Sequence, residues 1–142
     1  MSKKIYVASS WRNTIQPHIV DLLRKEGHEV YDFKNPPNKS GFGWEQIDKN
    51  WQSWTTEQYK EHLNHPLAKE GFDSDFDAMK NAEICVLVMP CGRSAHTEAG
   101  YMQGEGKKVF VFIPVISEPE LMYKIFSGIT DDTKELINFC NS

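Results

Sequence analysis

The chain has 142 residues, a formal net charge of -4 at pH 7, and 39% hydrophobic and 25% charged residues. This length favours one domain, residues 1–142, with a core large enough to need no covalent staples. The composition excludes a disordered or collagen-like chain. The mild negative charge gives no general attraction to a nucleic-acid backbone, so no nucleic-acid partner is expected. No apolar run approaches the roughly 18 residues of a membrane span, so no membrane partner is expected either.

The three cysteines are an odd number, and Cys85 lies inside an apolar run. This usage argues against a disulfide scaffold and predicts a reducing, cytoplasmic setting. The residues after Met1 to Lys4 are too few and too strand-like for the apolar core of a signal peptide. The five histidines show no spacing with cysteines or carboxylates that is typical of metal ligands, so we expect no metal. No cofactor is expected either.

The first third of the chain predicts a strand, a helix and a strand. Residues 5–8 are typical of a buried strand, and residues 29–33 of a second one. Between them, Asn13 or Thr14 can cap a helix that Gly27 ends. Residues 35–43 are rich in Pro, Gly, Asn and Ser, which predicts a loop.

The last third repeats the alternation. Residues 84–89 are an uninterrupted apolar run, as in a central parallel strand that is covered on both faces. They are followed by a predicted helix over 93–104, a strand over 109–113, short helices over 118–126 and 132–139, and an edge strand near Ile129. Strand-helix alternation requires crossovers. It therefore predicts a three-layer α/β sandwich with four or five parallel strands in the order 2-1-3-4-5.

Residues 43–82 insert helical, aromatic-rich material between the second and third strands. Trp51 and Trp54 lie at helical spacing and are interpreted as core, while Thr55 and Gln58 can form a capping box. Phe42 and Trp44 differ, because glycines flank them in a loop. They can act as a lid or stacking wall for a flat ligand, or they can simply pack the loop.

The carboxyl ends of the first and third strands are where an open parallel sheet binds ligands. Two segments follow these strands and supply candidate substrate-binding residues: Ser9, Ser10, Trp11 and Arg12, and then Gly92, Arg93 and Ser94. In the second segment Gly92 allows close approach, Ser94 can cap the helix, and exposed N–H groups favour an anion such as phosphate. The alternative is an ordinary helix start.

Glu98 is the sharpest catalytic candidate. It shares a helix stripe with Ser94 and Tyr101, beside the face that Ala95, Ala99 and Met102 turn to the sheet. The positive end of the helix is expected to keep this carboxylate ionised, as nucleophilic attack on a sugar carbon requires. The alternative is a glutamate that merely suits the helix dipole.

Asp77 is the second catalytic candidate. Ser74 and Asp77 have the spacing of a capping box, which would leave Asp77 in the first turn of the helix before the third strand. A function would require its side chain to turn toward the cleft. Cys91 and His96 lie nearby, but nothing in the adjacent sequence marks Cys91 as a nucleophile.

The strand that ends in Ser9 to Arg12, the helix-borne Asp77, and the stretch Gly92-Arg93-Ser94 with Glu98, Gly100 and Tyr101 together resemble the nucleoside 2-deoxyribosyltransferase-like family. The resemblance covers residues 5–12 and 77–113 and implies a flavodoxin-like sandwich that forms a homo-oligomer. It implies that Glu98 attacks the anomeric carbon and that Asp77 handles the base and its proton. It also implies that Arg93 and Ser94 handle a phosphate, as in the 2'-deoxynucleoside 5'-phosphate N-hydrolases.

One difference bears on the reaction. The transferases carry a sugar-holding aspartate shortly before the glutamate, where this chain has Cys91, Gly92 and Arg93. We therefore expect an N-glycoside-cleaving enzyme, hydrolase or deoxyribosyltransferase, with hydrolysis favoured. Ser9, Gly92, Arg93 and Ser94 would hold ribose and phosphate, and the rings of Trp11, Phe42 and Trp44 would stack on the base. Two alternatives stay open: a non-catalytic nucleotide sensor and an NAD-cleaving glycohydrolase.

Overall fold

The computed structural model describes residues 2–37 and 41–142. Within them, five strands form one parallel sheet in the order β2-β1-β3-β4-β5. The strands are β1 (Lys4–Ala8), β2 (Glu29–Asp32), β3 (Ile84–Val88), β4 (Lys108–Phe112) and β5 (Gly128–Thr130). Both the predicted α/β class and the predicted strand order are confirmed.

The described helices are α1 (Gln16–Lys25), α2 (Thr56–His62), α3 (Pro66–Asn81), α4 (Arg93–Gly104) and α5 (Thr133–Asn141). They cover the two faces of the sheet and make two separate cores. On one face α1 and α5 pack against alternate strand residues such as Ile5, Val7 and Val86. On the other face α3 and α4 pack against Tyr6, Cys85 and Leu87. The three-layer sandwich follows because each strand is buried on both sides.

Two elements are longer or shorter than the sequence predicts. Pro66 begins α3 and His65 caps it, so one 16-residue helix replaces the separate helix expected from Ser74 onward. The helix predicted over 118–126 is only a 3₁₀ turn, Leu121–Ile125, in which Tyr123 is buried. Leu121 and Met122 are exposed, so this turn has no continuous apolar face to bury.

The insertion also differs from expectation. The Thr55 and Gln58 capping box is present at the start of α2. The stretch before it forms two 3₁₀ turns, Trp44–Gln46 and Trp51–Ser53. Between them, the side chain of Asp48 accepts a hydrogen bond from the backbone N–H of Asn50, which favours a turn over a continuous helix. Trp51 is 38% exposed, so its interpretation as core is wrong. Trp54 is half-buried, and it stacks on His62 within the insertion instead of joining the sheet core.

No helix in the described residues is long and apolar enough to cross a membrane.

Candidate active site

Side-chain hydrogen bonds join the loops that follow β1 and β3. Ser9 donates its hydroxyl to the carbonyl of Val88 at 2.8 Å, and the Asn13 amide donates to the carbonyl of Pro90 at 3.0 Å. These bonds hold the two loops side by side at the carboxyl edge of the sheet. A cavity of about 250 Å³ lies between them and is lined by Ser10, Arg12, Asn13, Pro90 and Cys91. Ser10 and Arg12 of the first predicted segment therefore line a crevice together with Pro90 and Cys91, which directly precede the second predicted segment. Gly92, Arg93 and Ser94 are not among the residues that line it.

The start of α4 lies beside this crevice. Gly92 is the N-cap residue, and no side chain in the described part of the chain caps the helix through it. Ser94 is therefore not the cap that the sequence predicts; it lies one residue inside the helix and is exposed. Arg93 is exposed at the same end. A helix start without a side-chain cap, beside a guanidinium, is suited to an anion. Anion binding at this segment stays a prediction.

Glu98 is half-buried one turn into α4 and faces β1. The Tyr6 hydroxyl donates to its Oε2 at 2.8 Å. The pKa of Glu98 is raised to about 7. Burial is the largest cause, the Tyr6 hydrogen bond lowers the pKa in part, and the charge of Asp75 raises it further. The expectation that the helix end keeps Glu98 ionised is therefore wrong. Desolvation is the largest cause of the raised pKa, because the carboxylate is enclosed among side chains instead of exposed at the rim.

The carboxylate that α3 brings to Glu98 is Asp75. Its Oδ1 accepts a 2.8 Å hydrogen bond from the Tyr31 hydroxyl, and its charge acts on Glu98 and Tyr6. Asp77 is exposed near the middle of α3, not in a first turn as predicted, and Ser74 contacts Tyr31 instead of capping a helix. The helical rotation of about 200° between the two positions puts them on different sides of α3.

The three predicted aromatic residues are not among those that line the crevice, and their contacts are with other side chains and with the insertion. Trp11 is half exposed, meets Phe33 edge to face, and covers Gly41 so closely that a Cβ there would overlap the indole. Phe42 packs on Gly71 of α3. Trp44 contacts Phe42, Trp54 and Tyr59 and so holds the insertion together. A base-stacking role for Trp11, Phe42 and Trp44 stays a prediction.

Cys91 lines the crevice without the features of a nucleophile. Burial, together with the charge of Glu98, raises the pKa of its thiol to about 12. The thiol lies 3.7 Å from Nδ1 of His96. Among the described residues, no group of three or more His, Cys, Asp or Glu side chains could hold a metal ion.

A larger cavity of about 490 Å³ lies on the other side of α4. It is lined by nine residues from α4 and the segment before β5: His96, Gly100, Glu118, Pro119, Glu120, Met122, Tyr123, Ile125 and Phe126. None of the predicted site residues belongs to this set. Neither Glu98 nor Asp75 is among the residues that line either cavity, and the residue of the smaller crevice on which the charge of Glu98 acts is Cys91.

Three residues of this site do not follow from a motif: Tyr6, Tyr31 and Asp75. Tyr6 carries a signal, because it is the single polar side chain among the four buried residues of β1 and a buried hydroxyl needs a partner. Tyr31 lies at the matching position of β2. Nothing in the sequence distinguishes Asp75 from Asp73 and Asp77, since the rotation of the helix decides which of the three carboxylates faces the sheet.

No family model matches the sequence, and no curated protein matches it. Solved structures do match the fold. The chain is similar to a 2-deoxyribosyltransferase from Bacillus psychrosaccharolyticus, with a TM-score of 0.66 and 22% identity over 97% of this chain and 91% of that one. It is also similar to the CMP N-glycosidase BcmB of Clostridium botulinum, with a TM-score of 0.54 and 13% identity over the full length of both. The chain therefore has the nucleoside 2-deoxyribosyltransferase-like fold.

Proposed function

We propose that the protein is an N-glycoside-cleaving enzyme that acts on a nucleoside or nucleotide. The observation that carries this proposal is the pair of carboxylates on the α3–α4 side of the sheet: Glu98, half-buried and held by Tyr6, and Asp75, held by Tyr31 and close enough for its charge to act on Glu98. The two structural relatives, a 2-deoxyribosyltransferase and a CMP N-glycosidase, support the same reaction class.

In this proposal Glu98 is the nucleophile. Its ionised carboxylate attacks the anomeric carbon, the bond from that carbon to the base nitrogen breaks, and a glycosyl-enzyme ester forms. The leaving base takes a proton, which Asp75 supplies. The role that the sequence suggested for Asp77 thus passes to Asp75, since Asp75 is the carboxylate coupled to Glu98. In hydrolysis, water then attacks the ester carbon of the sugar, returns a proton to Asp75 and frees Glu98.

The pKa of Glu98 suits this sequence of steps. A carboxyl group with a pKa of about 7 is partly ionised at neutral pH and is a stronger base and nucleophile than an exposed glutamate. Two coupled carboxyl groups that hold one proton between them can supply both a nucleophile and an acid. Asp32 lies on the opposite face of the sheet and is not part of this pair.

Hydrolysis of a nucleotide is favoured over transfer between nucleosides. Gly92, Arg93 and Ser94 form an exposed, uncapped helix start with a cationic side chain, as a 5'-phosphate would require. Ser9 donates its hydroxyl to Val88, so within this proposal it shapes the crevice, and Ser10 and Arg12 are nearer to a ligand. The homo-oligomer implied by the family resemblance is part of the same proposal.

The direct test is release of free base from a panel of nucleosides, 5'-nucleotides and NAD, followed by chromatography. We expect turnover of a nucleoside or nucleotide and a glycosyl adduct on the peptide that contains Glu98, detected by intact mass and peptide mapping after rapid quenching. Binding of panel members without any base release would instead support the sensor interpretation. Turnover of NAD alone would support the glycohydrolase interpretation.

The phosphate assignment has its own test. Arg93→Ala should raise KM for nucleotides about tenfold and leave KM for nucleosides within twofold, because only the nucleotide presents a dianion to the helix start. The matched control is Lys134→Ala, an exposed cation at the start of α5. An equal rise for both substrate types would contradict the assignment.

A further inference from the structure

Two tyrosines occupy matching positions on neighbouring strands. Tyr6 of β1 and Tyr31 of β2 are register partners in the parallel sheet. Their rings are stacked, with centroids 5.4 Å apart and an angle of 10° between planes. Because register partners point to the same face of a sheet, both hydroxyls extend toward the layer formed by α3 and α4.

Each hydroxyl binds a different carboxylate from that layer. Tyr6 donates to Oε2 of Glu98 on α4, and Tyr31 donates to Oδ1 of Asp75 on α3, both at 2.8 Å. The Ser74 hydroxyl lies 2.9 Å from the Tyr31 hydroxyl. Since Tyr31 has one proton and gives it to Asp75, Ser74 is the donor of this second bond. A chain of hydrogen bonds thus runs from Ser74 through Tyr31 to Asp75.

Resting on the function proposed above, we propose that Tyr31 is a positioning residue for the reaction. It orients the Asp75 carboxyl group through Oδ1, and its ring, stacked on Tyr6, holds this group at a set separation from Glu98. The two carboxylates come from different helices, so helix packing alone leaves their spacing free to vary. Adjacent strands lie a constant distance of about 4.8 Å apart, which makes the tyrosine pair a rigid spacer.

The chemistry of the tyrosines fits a donor role. Burial raises the pKa of Tyr31, and burial together with the charge of Glu98 raises the pKa of Tyr6. Both hydroxyls therefore keep their protons at neutral pH and donate continuously. The groups that face Tyr31 are Ser74, Asp75 and, through its charge, Glu98. Because Tyr31 has one hydroxyl proton, it can donate to another acceptor only if its hydrogen bond to Asp75 breaks.

The test is Tyr31→Phe, which keeps the stacked ring and removes only the hydroxyl. We expect kcat to fall at least tenfold while KM changes less than twofold, because ground-state binding does not need an oriented Asp75. The control is Tyr59→Phe, at an exposed tyrosine of the insertion, which should leave kcat and KM unchanged. The midpoint of thermal unfolding should move by no more than a few degrees in either variant.

A readout without turnover makes the test independent of the substrate. Carbon-13 NMR of labelled glutamate in the free protein follows the titration of Glu98. The charge of Asp75 raises the pKa of Glu98, so a carboxylate that turns toward water after Tyr31→Phe should lower it. Asp75→Asn should lower it as well. In the Asp75→Asn background, Tyr31→Phe should add nothing, since its effect passes through Asp75.

The outcomes separate the two proposals. If the parent enzyme turns over substrate and Tyr31→Phe leaves kcat and the Glu98 titration unchanged, the positioning role is wrong and the proposed function stands. Independent, additive shifts in the double variant would likewise overturn the positioning role. If the parent releases no base from any substrate, the proposed function is wrong and the inference about its reaction is wrong with it. A titration shift that is lost in the Asp75→Asn background would then show only that the hydrogen-bond chain orients Asp75.

Discussion

Asp32, which is buried, and Glu98, which is half-buried, lie on opposite faces of the sheet, and their pKa values shift in opposite directions. Asp32 is on the α1 side, where the side chains of Gln16 and Asn35 and the amide of Lys34 all donate to it. Burial raises the pKa of Asp32, but these bonds outweigh burial and the net pKa is lowered. For Glu98, burial and Asp75 outweigh the single Tyr6 bond, and the net pKa is raised.

Under the proposed function, this difference in pKa separates a structural carboxylate, Asp32, from the proposed nucleophile, Glu98. The charge of Asp32 is stabilised by hydrogen-bond donors that tie α1 to the loop after β2, so its ionised form stabilises the fold. Glu98 is held in an environment that disfavours its charge, so folding is costlier once it ionises. A carboxylate with few hydrogen-bond donors can still bind a substrate group, whereas a carboxylate whose oxygens already accept several bonds cannot.

The largest effect should come from Glu98→Gln. The amide keeps the shape of the side chain and an acceptor for Tyr6, but it is not a nucleophile, so turnover should fall about a thousandfold or more. Base release under saturating substrate is the measurement. Asp32→Asn is the matched control at the other carboxylate and should retain turnover within threefold wherever it remains folded. Comparable losses in both variants would contradict the contrast between the two carboxylates.

The next effect concerns the choice between two positions on α3. Asp75→Asn should lower kcat about ten- to hundredfold, as is typical for loss of a positioned acid or base. Asp77→Asn, two residues away and exposed, should leave kcat unchanged. Steady-state kinetics of the two variants at one pH decide the matter. A large loss in Asp77→Asn alone would restore the assignment made from sequence.

The free energy of unfolding should depend on the ionisation of Asp32. Its lowered pKa means that the ionised form stabilises the fold at neutral pH, and that this contribution is lost as the pH falls below about 4. Asp32→Asn places an amide among donors and should cost about 1–3 kcal/mol of unfolding free energy at pH 7. Denaturant unfolding at pH 7 and pH 3.5 should show a smaller difference at the lower pH. An equal difference at both would mean that charge is not the cause.

Glu98 should show the reverse sign. Its pKa rises from 4.5 to about 7 on folding, so the fold loses stability as the pH rises between these values. Glu98→Gln should therefore raise the unfolding free energy at pH 8 by about 1–3 kcal/mol and have little effect at pH 4. Chemical denaturation at the two pH values checks this. A destabilised variant at pH 8 would show that the ionised carboxylate is a stabilising group.

The smallest effect is a shift of the pH profile. Because the proposed reaction needs one proton on the Glu98–Asp75 pair, kcat/KM of the parent should fall as the pH rises through an inflection near 7, where the pair loses that proton. The Tyr6 bond lowers the pKa of Glu98, so Tyr6→Phe should move this inflection upward by up to about one unit. Profiles of kcat/KM for parent and variant are the measurement, with Tyr59→Phe as the control. A downward shift would mean that the hydroxyl stabilises the protonated carboxyl instead.

Local patterns in the sequence determine most of the fold. The apolar run of β3 and the amphipathic pattern of α4 are set by residues next to one another, and the strand order follows from crossover rules that apply to any such alternation. The loops after β1 and β3 are predictable for the same reason. Glu98 also follows from its position after β3, although its role as nucleophile stays a prediction.

The tertiary structure alone decides what depends on neighbours distant in the chain. The rotation of α3 against β2 decides that Asp75, and not Asp77, contacts Tyr31. The sequence pattern predicts that this helix begins near Ser74, whereas it begins at Pro66, so the sequence does not predict the rotation. The partner of Tyr6 is 92 residues away, so its hydrogen bond to Glu98 cannot be read from spacing. The ionisation of Glu98 depends on how completely packing removes water, because desolvation is a property of the enclosing side chains and not of the helix that carries the carboxylate.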